Sequence, residues 1–162
     1  MAHLCLGGFH GIRSEELFQM NWEDLDWKIN KVHVLNAKRV HNWRPRHLDM
    51  RDGVRRHLQP YALEKGLIFS GAEEADNRSD AIQQRLGRHR KPMLKAVGLS
   101  KWPRNTLRHS FKSYDEALHE NFSHTQREMG HSSPAMTRYG YGADTAGGFY
   151  VTKEMAQRWF AV

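Results

Sequence analysis

Trp102-Pro103-Arg104-Asn105-Thr106-Leu107-Arg108-His109-Ser110-Phe111 is the stretch on which the reading of this chain turns. Leu107, Phe111, Tyr114 and Leu118 fall at i, i+4, i+7 and i+11, which predicts a helix over 106–119 with one apolar face. Arg108 stands beside that stripe in the first turn, where backbone N–H groups lack helical partners and point outward. An arginine there, with His131 further on and Tyr139 and Tyr141 beyond it, suits the holding of an anion.

Outward from that helix, residues 79–97 read as mostly helical, with Ile82, Leu86, Met93, Leu94 and Val97 inward, Pro92 as a kink and Gly98 as the stop. A shorter helix over 123–129 stops at Gly130, and Ser133-Pro134 can start another. After the Gly-rich run 142–148, Thr152 caps a last helix whose apolar face is Met155, Trp159 and Phe160. Toward the N-terminus, residues 2–10 are apolar and helix-like, interrupted by Gly7 and Gly8. Ser14 is placed to cap the next helix, with Leu17, Met20 and Leu25 supplying core contacts. From Trp27 the pattern alternates. Ile29, Val32, Val34 and then Arg44, Arg46, Leu48 suit a two- or three-stranded antiparallel sheet, with 37–43 as its turn. Residues 52–63 form a further helix candidate carrying Val54, Leu58 and Leu63, followed by a short buried segment at 66–69 and a surface loop at 70–77. The expected class is mainly α with a small antiparallel β-sheet.

At 162 residues the chain is expected to be one domain with a real core. A single cysteine excludes a disulfide framework and a thiolate zinc knot, and Cys5 between apolar neighbours reads as core filler. No stretch is apolar enough to cross a bilayer, and the N-terminus lacks a signal-peptide layout. A cytoplasmic location is the expectation. The formal charge is +7 and unevenly spread. Residues 28–58 carry nine Lys/Arg against Asp49 and Asp52, and residues 85–112 carry nine and no acid. Such blocks are the footprint of a polyanion, with a merely solvated basic face as the bland alternative. Nucleic acid is the partner they point to. The basic hairpin side chains Lys38, Arg39, Arg44 and Arg46 suit reaching into a groove, and Arg88, Arg90, Lys91 and Arg104 suit the second basic surface. His119, His124 and His131 match no familiar metal spacing, so a metal triad of these three is not expected.

Phosphoryl transfer needs a nucleophile, cations on the non-bridging oxygens and a proton donor for the leaving oxygen. Arginine suits the clamp because its planar fork matches two phosphate oxygens. Arg13, Lys38 and Arg108 each sit at a turn or helix start. Gly11-Ile12-Arg13-Ser14-Glu15-Glu16-Leu17, Val34-Leu35-Asn36-Ala37-Lys38, Leu107-Arg108-His109-Ser110-Phe111 and Met129-Gly130-His131-Ser132-Ser133 occur in that order. Together they resemble the catalytic domain of the tyrosine recombinases, the phage-integrase and XerC/XerD-like family, over about residues 2–160. The resemblance implies the catalytic core of a DNA breaking-rejoining enzyme, acting on double-stranded DNA without metal or cofactor, in site-specific recombination or integration for a mobile element. It implies Arg13 and Arg108 as the two catalytic arginines and Lys38 as the catalytic lysine. His131 falls on the second-box histidine, Glu16 on the acid that buttresses the site, and His109 on a supporting position.

Three departures accompany it. Asn105 stands where most members have histidine; it can donate to a phosphate oxygen but cannot act as acid or base. The usual nucleophile position is Gly140, which leaves Tyr141, fitting a subgroup with a one-residue longer turn, and Tyr139 as its rival. The amino-terminal DNA-clamping domain of the family is expected to be missing, so the domain reads as N-terminally truncated. By the same resemblance the last helix would dock on a neighbouring protomer through Met155, Trp159 and Phe160, with an intramolecular cap as the alternative. Two other functions stay open beside recombination: a catalytically degenerate integrase remnant that only binds DNA, and a type IB topoisomerase-like enzyme that relaxes it.

Overall fold

A computed structural model describes residues 1–35, 45–71, 77–131 and 150–162. Among them the elements run α1 (Ala2–His10), α2 (Ser14–Leu17), a 3-10 turn (Trp22–Asp24), β1 (Leu25–Asp26), β2 (Lys31–Val34), β3 (Arg46–Asp49) and α3 (Asp52–Leu58). A second 3-10 turn (Gln59–Tyr61) leads on to α4 (Arg78–Ala96), α5 (Thr106–His119), α6 (Phe122–Met129) and α7 (Lys153–Phe160). The architecture is mostly helical with a small three-stranded antiparallel sheet in the order β1-β2-β3. The expected class holds.

The sheet buries one face. Leu25 pairs with Val32, Val32 with Leu48, and Val34 with Arg46, so all five share the core side. They close on Leu6, Ile12, Leu17, Phe18, Val54 and Leu58, all nearly inaccessible. On the outer face Lys31 pairs with Asp49 at 2.5 Å, and His33 lies opposite His47. Ile29, expected in the strand, is 62% exposed in the turn between β1 and β2. The helix expected over 52–63 ends early, because Pro60 has no N–H to continue the ladder, and Leu63 is left in solvent.

Gly7 and Gly8 do not break α1; they let other helices touch it. A Cβ on Gly7 would lie 3.2 Å from Leu107 Cβ, and one on Gly8 would press on Trp159 at 3.4 Å. Helix α5 thus crosses α1 at close range with α7 beside both. Trp159 stacks on Tyr114 at 4.5 Å and donates its indole N–H to Gly8 O, while Phe160 meets Phe9 and Phe111. The expected C-terminal cap is present, with Thr152 Oγ1 accepting the Met155 N–H at 3.3 Å. The apolar face of α7 is therefore seated within its own chain rather than left as an exposed patch.

Helix α4 runs through Pro92 with less burial than expected: Ile82 is buried, but Met93 and Val97 are exposed. No described helix is long and apolar enough to cross a membrane. The hairpin turn expected over 37–43, the loop 72–76, the helix start at Ser133-Pro134 and the glycine run 142–148 lie outside the described residues.

Candidate nucleic-acid cleavage site

Three tight chain reversals build the site. Helix α1 ends on Gly11 at φ 59°, with Ile12 N–H reaching back to Leu6 O, and α6 ends on Gly130 at φ 63°, with His131 N–H reaching back to Gln126 O at 3.1 Å. The third is Asn105, at φ 55°, which starts α5 from a left-handed conformation. Between these ends lies the Arg108 guanidinium, 5% exposed. Its Nη1 donates to Gly11 O, and its Nη2 to Met129 O at 2.7 Å. Both carbonyls belong to helix C-terminal ends, where the backbone carries partial negative charge, so a buried cation is stabilised there.

The same Nη2 lies 2.7 Å from His131 Nε2. Burial, then the nearby guanidiniums of Arg108, Arg13 and Arg46, hold the His131 imidazole down at about 3 against the weaker pull of Glu16. His131 is accordingly neutral at pH 7. Since Nε2 faces an N–H donor, the hydrogen-bond network assigns the ring proton to Nδ1.

Arg13 is placed by Glu16. Ser14, expected as a cap, is instead the first residue of α2; Arg13 takes the cap position and its backbone N–H donates to Glu16 Oε2 at 2.9 Å. Arg13 Nη1 reaches Glu16 Oε1 at 3.1 Å, and its Nη2 reaches Gly130 O at 3.4 Å. From the other side Arg46 grips the same carboxylate with both terminal nitrogens and donates Nε to Glu128 O at 3.1 Å. Burial alone would push the Glu16 carboxyl up; the bonds from Arg46, then Arg13, more than offset it and hold it at about 2. Arg46 does not reach outward as a hairpin contact. It faces the core beside Leu48, 9% exposed, as a brace under the site.

A cleft of about 580 Å³ opens beside these groups, lined in part by Arg13, Arg90, Arg104, Asn105 and Arg108. That volume takes a phosphodiester with part of its flanking sugars. Arg90 stacks over Trp102 at 4.6 Å and contacts the His3 ring, so it holds the wall of the cleft as well as charging it. Arg104, Arg88 and Lys91 are exposed. Asn105 is exposed too, with no side-chain cap bond. His109 is half-buried, and burial, then Arg108 and Lys112, lowers its pKa. The structure thus brings Arg13, Glu16, Arg108 and His131 together with Asn105 on the cleft rim. Lys38, Arg39, Arg44, Tyr139 and Tyr141 lie outside the described residues.

Sequence reasoning missed Arg46 as the second grip on Glu16. It also missed the pair formed by Arg51 Nη2 and the fully buried Asp115 at 2.5 Å. For Arg46 a signal existed: its two-residue spacing from Leu48 puts it on the core face of β3. Arg51 and Asp115 are 64 residues apart and no pattern links them.

Four guanidiniums lining a cleft, with the neutral His131 imidazole against that of Arg108, can bind a phosphodiester and stabilise charge developing on its oxygens. A family model described as "Phage integrase family" matches residues 2–146. No curated protein and no solved structure matches the chain.

Proposed function

Because the chain belongs to the phage integrase family, and so to proteins that recombine DNA, we propose that it is a tyrosine recombinase of XerC/XerD-like type. It would cut and rejoin specific DNA strands through a 3′-phosphotyrosyl intermediate. Tyr141, or its rival Tyr139, would attack the scissile phosphorus and form the Tyr–O–P bond as the P–O5′ bond breaks. Lys38 would give the leaving oxygen its proton. Arg13 and Arg108 would hold the non-bridging oxygens, with His131 and Asn105 assisting. The tyrosyl ester keeps the energy of the phosphodiester, so a second 5′-hydroxyl could reseal it without ATP.

The observation that supports this most is the meeting of Arg108 with His131 at the cleft that Arg13 also lines. Arg39, Arg44, Arg88, Lys91 and Arg104 would track the flanking backbone. Self-association on DNA through α7 would require the helix to leave its present seat for the same seat on a neighbour, conserving the contacts of Trp159 and Phe160 while changing the chain that makes them.

Asn105 favours the rival reading, a remnant that binds DNA without cutting it, because an amide cannot replace the acid-base capacity of the histidine most members carry there. Incubating the chain with a library of nicked duplexes and resolving products in detergent separates the two. A detergent-stable adduct that disappears with Arg108→Gln supports cleavage; retarded DNA without any adduct supports the remnant.

A further inference from the structure

The far end of the α5–α6 hairpin holds chemistry that the cleft does not use. Asp115 lies seven residues beyond Arg108, roughly 10 Å along the helix at 1.5 Å per residue. Asp115 and His119 share one face of the last turns of α5, and Glu120 and Asn121 reverse the chain so that His124, in the first turn of α6, faces them. The donor atoms of these three residues all lie within 4.8 Å of one another. We infer that Asp115, His119 and His124 form a binding site for a borderline divalent transition metal, zinc foremost.

The three side chains are close but not hydrogen-bonded to each other. His119 Nε2 is 3.6 Å from Asp115 Oδ1, and His124 Nε2 is 3.9 Å from Asp115 Oδ2. The two imidazoles lie 4.3 Å apart, tilted by 48°, and neither ring has a hydrogen bond among the described residues. Ligands on a tetrahedral zinc, with bonds of about 2.0–2.2 Å, stand roughly 3.4 Å apart. Rotation of two partly exposed rings covers the remaining difference.

Asp115 is fully buried and already oriented, accepting from Arg51 Nη2 at 2.5 Å and from Thr125 Oγ1 at 2.6 Å. A carboxylate has four lone-pair positions, so one on each oxygen remains for a metal. Fixed donors behind a ligating carboxylate are the usual support for such a site. The charge of Arg51 opposes a cation. Against it stands Glu128, one turn beyond His124, within the field of Asp115 and Arg51 and in no ion pair among the described residues. Two imidazoles and one carboxylate select zinc, cobalt or nickel over magnesium or calcium, and leave a fourth position open. Bound there, the ion would clip the helix that carries Arg108 to the helix that leads into His131.

The test needs no DNA cleavage, so its outcome is separate from the recombinase reading. The full chain, without a polyhistidine tag, is titrated with Co²⁺ and Zn²⁺, following the visible ligand-field band, bound metal per chain and the unfolding midpoint. One ion per chain, a midpoint raised by Zn²⁺ but not by Mg²⁺, and an affinity loss of about ten-fold or more in each of His119→Ala and His124→Ala are expected. The cross-strand pair His33 and His47 is the control, and His33→Ala should bind as the parent does. The metal-free variants should keep the parent's circular dichroism, since both histidines are partly exposed. Absence of stoichiometric binding, or binding that survives His119→Ala with His124→Ala, overturns the site.

Discussion

Arg46 and Glu16 meet side-on inside the protein, Nη1 to Oε1 at 3.0 Å and Nη2 to Oε2 at 2.7 Å, joining strand β3 to the helix that follows Arg13. Removing one member of a buried pair leaves an uncompensated charge and costs about 3–5 kcal/mol. Arg46→Met should lower the unfolding free energy by that order in urea titrations. Arg46→Lys should recover little, because a point ammonium cannot grip both oxygens. A loss under about 1 kcal/mol for Arg46→Met would count against the brace.

His10 is fully buried, and neither ring nitrogen has a hydrogen-bond partner among the described residues. Burial, then Arg51 and Arg46, push its pKa down to about 3. Between about 3 and the ordinary 6.5 the unfolded chain binds the extra proton, so stability rises with pH. The contribution is complete above 6.5 and is lost progressively as pH falls toward 3. One such group gives a slope of about 1.4 kcal/mol per pH unit at 25 °C. His10→Leu should flatten the curve between pH 4 and 6 by about that slope, and should raise stability at pH 7 by about 1 kcal/mol or more. An unchanged pH slope would show that the ring is solvated.

Gly11 carries two duties. Its φ of 59° disfavours a side chain, and a Cβ would fall 2.4 Å from Phe111 Cδ1. Its carbonyl also accepts from Arg108. Gly11→Ala should destabilise by about 2 kcal/mol or more through strain and overpacking, and should weaken DNA binding in the surviving folded fraction. Parent-like unfolding would contradict the close packing of α5 on α1.

The titration of His131 reads the site directly. Burial is the larger cause of its low pKa and Arg108 the next, so Arg108→Gln should raise the value from about 3 while leaving it below 6.5. NMR titration of the imidazole checks this. A pKa unmoved by the substitution would mean that the two side chains do not meet in solution.

Much of this was legible before any coordinates. Helix α5 spans the expected 106–119, because a stripe of apolar residues next to Pro103 and before Glu120 leaves little choice of period or ends. Arg13, Arg108 and His131 were grouped by the family resemblance rather than by any periodicity of the chain. The apolar face of α4 read less well, since Met93 and Val97 keep helical spacing but no described element covers them. Arg46 was read by its charge when its place in the alternation with Leu48 decided its burial. Asp115, His119 and His124 share a cluster only because α6 folds back beside α5, a tertiary fact that histidine spacing alone cannot carry; His131 stands apart from them, against Arg108.

The central claim is tested most directly by digesting the detergent-stable protein–DNA adduct with nuclease and protease and locating the remaining nucleotide by mass spectrometry. A 3′-nucleotide on Tyr141, lost in Tyr141→Phe and in Arg108→Gln, is the predicted result. Failure of the chain to form any adduct on DNA that it binds, or a nucleotide on a residue other than Tyr141 or Tyr139, would contradict the account.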